Sequence, residues 1–198
     1  MKTEIEAKWL EVDHEKMAEK IKSLGGRLVM KKALMVRTVF ETGDIHSFVR
    51  VRDEGDKITL TYKKFEDELS LTGTKEIHLE VDSYDDAVEL IKALGLKPKA
   101  IEETKREIWE LDGAEIALDE WPWLPPFMEI ETQDESSMMS IASKLKLNIK
   151  DAMHGASDQV YAHYYDVTTN EVCAHQGIWR EIRFGPVPAE LEARRKKK

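Results

Sequence analysis

The stretch that decides the fold runs Phe48-Val49-Arg50-Val51-Arg52, crosses a turn at Asp53-Glu54-Gly55-Asp56, and resumes as Ile58-Thr59-Leu60-Thr61-Tyr62-Lys63. The residue types alternate with a period of two, the signature of a β-strand, and the turn residues make the two runs a hairpin. Val49 and Val51 share one face, and Arg50 and Arg52 share the other. On the second run Ile58, Leu60 and Tyr62 oppose Thr59, Thr61 and Lys63. Two like charges on one strand face repel, so a solvent-facing sheet gains nothing from Arg-x-Arg.

Working outward, the same pattern returns along the chain. Glu4, Glu6 and Lys8 share a face near the N-terminus; Glu76, His78 and Glu80 oppose Ile77, Leu79 and Val81; Glu129 and Glu131 oppose Met128 and Ile130. Further alternating segments lie at about 35–41, 47–53, 57–65, 101–111 and 114–120, with a turn at Asp112-Gly113. Three strands lead into amphipathic helices capped by Asp13, Ser83 and Asp134. The apolar stripes are Met17, Ile21 and Leu24; Ala87, Leu90, Ile91 and Leu94; and Met138, Met139, Ile141, Ala142 and Leu145. Leu10-Glu11-Val12-Asp13 and Leu79-Glu80-Val81-Asp82 stand at equivalent points of the first two units, so the chain reads as an irregular repeat of strand and helix with eight strands in all.

The strand charges imply a ligand. Arg-x-Arg and Thr-x-Lys suit phosphate oxygens, through guanidinium forks and ammonium groups. Glu-x-Glu pairs suit hard divalent cations, which take oxygen ligands. Together they indicate a metal-bridged polyphosphate.

Composition narrows the class. The chain has 198 residues, 35% of them charged, and a net charge of −9; its last five residues are all basic, so the preceding 193 carry −14. A body this acidic argues against sequence-independent nucleic-acid binding. The basic tail reads as a solvated charge run. No stretch has the length of a membrane span and the N-terminus has no signal core. One cysteine, Cys173, excludes an internal disulfide and fits a reducing cytoplasm. The six histidines show no zinc spacing. There is no P-loop and no Ser-His-Asp arrangement.

The order of the motifs resembles the CYTH superfamily, the triphosphate tunnel metalloenzymes. Glu4-Ile5-Glu6-Ala7-Lys8 is similar to its Glu-x-Glu-x-Lys signature. Val39-Phe40-Glu41-Thr42, Phe48 to Arg52, Thr59 to Lys63, Lys75 to His78, Arg106 to Trp109, Leu118-Asp119 and Phe127 to Glu131 resemble its later blocks in order, over residues 2 to 165. The resemblance implies an α+β fold: an eight-stranded antiparallel β-barrel, or tunnel, with a charged interior and helices packed outside. Residues 1–165 would form the tunnel domain, and 166–198 an extension ending in the basic tail.

Carried over residue by residue, Glu4, Glu6, Glu129 and Glu131 would hold Mg²⁺ or Mn²⁺. Lys8, Arg50, Arg52, Lys63 and Arg106 would bind substrate, with Lys8, Arg52 and Asp119 nearest the chemistry; Arg37, a departure from the family pattern, would add a phosphate contact. Glu76, His78, Glu80 and Lys105 are secondary candidates.

The chain departs from the family pattern at four places. Thr104 replaces a usual Lys, His78 a usual Glu, and Arg37 a usual acidic or polar residue; Trp121-Pro122-Trp123-Leu124-Pro125-Pro126 replaces a glycine-rich loop. The expected substrate is a small-molecule triphosphate, hydrolysed in a metal-dependent reaction. Cyclisation of ATP by a class IV adenylyl cyclase mechanism is the alternative, and non-catalytic polyphosphate or nucleotide binding a third reading. No membrane or nucleic-acid partner is expected, and the resemblance extends to a homodimer as candidate assembly. Trp121 and Trp123 are candidates for stacking on an aromatic ring but fit better as loop packing. Tyr161, Tyr164 and Tyr165 read as a helical stripe covering the tunnel floor or mouth.

Overall fold

The computed structural model describes residues 2–44, 46–65 and 74–197, with the side chains of Lys2, Thr3, Glu4 and Thr74 outside the description. Eight strands, β1 (Lys2–Leu10), β2 (Arg27–Glu41), β3 (Ser47–Asp53), β4 (Ile58–Phe65), β5 (Thr74–Val81), β6 (Pro98–Leu111), β7 (Ala114–Glu120) and β8 (Phe127–Thr132), pair antiparallel in the order β2-β3-β4-β5-β1-β8-β7-β6. β2 also pairs with β6 over eleven register positions, so each of the eight has a neighbour on both sides. Ring closure leaves no free edge among them.

Strand alternation places the core outside the ring. Ile5, Ala7 and Trp9 of β1 face outward into a buried cluster with Ile116, Met128 and Ile130. Helices α1 (His14–Ser23) and α3 (Glu135–Lys144) add Ile21, Met138 and Ile141 to that cluster. Helix α2 (Tyr84–Ala93) covers Phe40, Val49 and Val51 through Ala87 and Ile91. The expected caps all form: Asp13 accepts from the Lys16 amide at 3.1 Å, Ser83 from Asp86 at 3.1 Å and Asp134 from Ser137 at 2.8 Å. Asp112 and Gly113 both have positive φ, the geometry of a two-residue hairpin between β6 and β7.

Three expectations change. The second strand begins at Arg27 rather than near 35 and runs for 15 residues, because its early half ladders on β6. Leu90, Leu94 and Met139 stand exposed, since α2 and α3 touch the sheet along a stripe narrower than the apolar one. The start of the basic tail is exposed, as a solvated charge run requires, yet it is tied down by contacts. Arg194 bonds Glu171 and the Asp166 carbonyl, Arg195 lies over the Tyr165 ring at 4.9 Å, and the Lys196 amide bonds the Tyr164 carbonyl at 2.9 Å.

The region past residue 148 packs as α4 (Ser157–Tyr164), α5 (Thr169–Cys173), a two-residue strand β9 (Glu181–Ile182) parallel to β6, and α6 (Ala189–Glu192). Tyr161, Tyr165, Val172, Trp179, Ile182 and Leu191 form a core with Trp121 and Phe127. The tyrosine stripe of α4 thus covers the barrel as expected, with the Tyr161 hydroxyl donating to the Pro122 carbonyl at 2.9 Å. Trp121 and Trp123 pack edge-on against Tyr161, as loop packing requires. No helix among the described residues is long and apolar enough to cross a membrane.

Candidate active site

The inward faces of the strands enclose a cavity of about 510 Å³, within the range of small-molecule sites. Eight Lys and Arg and eight Asp and Glu side chains line it; β1 and β6 carry both signs, while β2 and β3 contribute only basic ones and β7 and β8 only acidic ones. Arg37 on β2 and Arg50 and Arg52 on β3 form a basic wall; Glu6 on β1, Glu129 and Glu131 on β8 and Glu115 on β7 form an acidic one. In the ring β3 stands four places from β8, and β2 four places from β1, so the walls face each other.

The basic wall is under electrostatic strain. Burial lowers the Arg50 pKa well below the usual arginine range, and the charges of Arg52, Arg37 and Arg106 lower it further. The Arg50 Nε and the Arg37 Nη2 are buried without a hydrogen-bond partner. Buried donors without acceptors are costly and rare; four converging guanidinium groups account for them if an anion belongs between. Glu54, placed by sequence in a turn, is buried and takes bonds from Arg52 Nε at 2.8 Å, Arg52 Nη2 at 2.5 Å and the Thr59 hydroxyl at 2.9 Å. Burial works against the Glu54 charge, but Arg52 outweighs it and holds the carboxyl below its ordinary pKa.

On the acidic wall, Lys8 lies 3.4 Å from Glu6 and 3.2 Å from Glu129. Burial opposes its charge, but Glu129 and Glu6 prevail and raise its pKa. Lys63 reaches within 4.0 Å of Glu6. Arg106 binds both oxygens of Asp119, at 2.7 and 2.5 Å, and Glu129 at 2.6 Å. Burial pushes the Asp119 carboxyl up, while Glu129, despite burial, is held down by Lys8 and Arg106.

Most of the sequence candidates meet in this cavity: Glu6, Lys8, Arg37, Arg50, Arg52, Lys63, Glu76, His78, Arg106, Glu129 and Glu131. The Glu4 side chain lies outside the described residues. Three candidates are corrected. Asp119, expected beside the reacting atoms, is fully buried and absent from the cavity wall; it orients Arg106. Lys105 points to the outer face, its ammonium 4.4 Å from the Phe184 ring centroid, because adjacent strand residues face opposite ways. Glu80 ladders beside Thr59 but is exposed and off the wall.

Sequence reading missed Glu54, Glu102, Glu115 and His175. Glu102 and Glu115 share strand parity with Arg106 and Asp119 and were open to detection on that ground. His175 carried no signal, since it arrives from a short connection after α5.

The donor set suits a hard divalent cation. Glu131 ladders between Glu6 and Glu115 on its two sides, three carboxylates in one row across adjacent strands. Like charges so placed repel unless a cation joins them. Among the described residues no three such side chains are already drawn into a cage; of the row, Glu6 is in contact with Lys8.

A CYTH domain model matches residues 2–165. A Methanocaldococcus jannaschii protein named "Putative adenylate cyclase" is 28% identical over 135 residues, 65% of this chain and 75% of that protein. A Pyrococcus horikoshii structure aligns with a TM-score of 0.66 at 25% identity, covering 79% of this chain and 98% of that one. A Vibrio parahaemolyticus structure titled "putative adenylate cyclase", at 14% identity and a TM-score of 0.67, shares the fold over 81% of this chain and 98% of its own.

Proposed function

The chain belongs to the CYTH family, and on that premise we propose that it hydrolyses a small-molecule triphosphate inside its tunnel with the help of a divalent cation. One observation carries the reading: a wall of guanidinium groups with unpartnered buried donors faces a wall of carboxylates across a single cavity. A polyphosphate fits against the first wall and a hard cation against the second.

Mg²⁺ or Mn²⁺, held by Glu6, Glu129 and Glu131 with Glu4, would supply positive charge against phosphate oxygens and the acidity that activates water. The protein's own work is positioning and charge stabilisation. Arg50, Arg52 and Arg106 hold the phosphate chain in line, with Asp119 fixing the Arg106 fork. Lys8, kept protonated by Glu129 and Glu6, stabilises the leaving oxygen. Water forms a bond to the terminal phosphorus and gives up a proton to solvent, the bridging P–O bond breaks, and phosphate and the shortened polyphosphate leave.

Cyclisation of ATP to cyclic AMP and pyrophosphate is the second reading, and the name of the Methanocaldococcus relative favours it. Tripolyphosphate, thiamine triphosphate and ATP, each with Mg²⁺ or Mn²⁺, should be assayed for phosphate, pyrophosphate and cyclic AMP. Phosphate release abolished by Glu131→Ala and by Arg52→Ala supports hydrolysis. Cyclic AMP with stoichiometric pyrophosphate replaces it with cyclisation. Triphosphate binding without product in either metal makes the tunnel a receptor and ends the enzyme reading.

A further inference from the structure

His78 of β5 stands in the cavity wall and is exposed there. Register sets it at the end of a row across three strands, with Arg50 on β3 opposite Thr61 on β4 and Thr61 opposite His78. Hydrogen bonds run along that row. Arg50 Nη2 donates to the Thr61 hydroxyl at 3.5 Å, and that hydroxyl lies 3.1 Å from His78 Nδ1. Thr61 is fully buried, so water does not compete for it.

The row fixes the imidazole tautomer. A guanidinium only donates, and a threonine hydroxyl carries a single hydrogen. Thr61 therefore accepts from Arg50 and gives its hydrogen to Nδ1, which leaves the His78 proton on Nε2. Among the described residues Nε2 has no protein partner. A neutral imidazole with a spare N–H suits a phosphate oxygen.

The surrounding charges keep the ring neutral in the free protein. Burial lowers the His78 pKa, and Arg50, Lys57 and Arg52 lower it further against the opposing pull of Glu54. Glu76 and Glu80 flank it on β5, Lys63 lies diagonally across on β4, and Glu6 of β1 reaches that lysine at 4.0 Å. An anion held by Arg50 and Arg52 cancels the charges that oppose protonation and adds its own attraction for a cation.

Resting on the triphosphate reading above, we propose that His78 is a substrate-binding residue that changes charge on binding: its Nε2 donates to a phosphate oxygen, and the ring takes up a proton from solvent when polyphosphate arrives. The proton adds at Nδ1. The Thr61 hydroxyl turns about, accepting from Nδ1 and Arg50 and offering its own hydrogen to the anion. The bound state then has the higher His78 pKa. Its gain in affinity is complete below the free-state pKa and is lost as pH rises through the bound-state one.

Calorimetric titration of the full-length protein with tripolyphosphate in EDTA tests this without turnover. Run near pH 6 in two buffers of unlike ionisation heat, it counts the protons taken up. Tripolyphosphate exchanges protons of its own, so the reading is the difference between wild type and His78→Gln. The glutamine amide keeps the neutral contacts but cannot titrate. Wild type should take up about half a proton more. Its affinity advantage over His78→Gln should grow roughly tenfold between pH 8 and pH 5. At pH 8 His78→Ala, which lacks the donor, should bind at least about tenfold more weakly than either.

Equal proton uptake and parallel pH profiles in wild type and His78→Gln overturn the change of charge. Wild-type affinity in His78→Ala at pH 8 overturns the contact. If neither variant folds, the His78 ring signal of the wild type in nuclear magnetic resonance decides: its titration midpoint should rise with tripolyphosphate, and an unmoved midpoint overturns the proposal. Extra proton uptake with no product under Mg²⁺ or Mn²⁺ keeps the role of His78 and sinks hydrolysis. Phosphate release with equal proton uptake does the reverse. No tripolyphosphate binding at all overturns both.

Discussion

Removing the Glu54 carboxylate should destabilise the free protein and tighten its hold on polyphosphate. Glu54 is 3% exposed in its side chain and binds Arg52 through two hydrogen bonds, with Lys57 at 3.9 Å from its second oxygen. It also supplies acidic charge that offsets the mutual repulsion felt at Arg50. Glu54→Ala leaves Arg52 buried and uncompensated and takes the acceptor from Thr59, which is fully buried. Breaking a buried pair in this way costs about 3–5 kcal/mol. For a chain of this size that lowers the melting temperature by roughly 10 °C.

Tripolyphosphate in the cavity replaces the lost negative charge, so the cost should shrink to about 1 kcal/mol when ligand is bound. The remaining difference of about 2–4 kcal/mol must then appear as binding to the variant that is tighter by roughly thirtyfold to nearly a thousandfold. Urea unfolding with and without tripolyphosphate, beside calorimetric titration, measures both sides of that cycle. An equal stability loss in free and liganded protein would refute the reasoning, because Glu54 and phosphate would then not share Arg52. A loss under about 1 kcal/mol in the free protein would refute the electrostatic strain itself.

Acid should expose a second dependence. Glu102 is buried, but Arg37 and His175 overcome that penalty and hold its pKa at about 2 against an ordinary 4.5. A depressed carboxylate stabilises the fold above its unfolded pKa and loses that contribution as pH falls toward the folded value. Relative to Glu102→Gln, the wild type should lose about 2 kcal/mol between pH 5 and pH 3; parallel urea curves for the two proteins at both pH values would contradict the assignment. At the α1–β2 junction, a Cβ on Gly26 would stand 2.4 Å from the Ile21 Cγ2 and 2.9 Å from its carbonyl oxygen. Ile21 is fully buried and cannot swing away, so Gly26→Ala should cost about 1–3 kcal/mol in urea unfolding; a neutral result would show that the junction yields.

The amino-acid sequence by itself determined which side chains share a face, since strand alternation is a local property of the backbone. Arg50 with Arg52, Glu6 with Lys8, and Glu129 with Glu131 follow from parity, as do the three helix caps, where a side-chain oxygen reaches an amide three residues on. Parity also puts Glu102 on the Arg106 face, although the sequence reading did not single it out and nothing local said that Arg37 would be its partner. That pairing joins residues 65 apart and exists only because β2 ladders on β6.

Tertiary structure alone decided the rest. Ring closure set the basic wall opposite the acidic one, through ladders between strands distant in sequence. Burial made a turn residue, Glu54, the counter-charge of Arg52, and withdrew Asp119 behind Arg106. Folding of the C-terminal segment across the strand ends brought His175 to Glu102, 73 residues away. Such contacts depend on how outward apolar faces such as Tyr161, Trp179 and Ile182 pack together, and packing is a property of the whole chain rather than of any stretch of it.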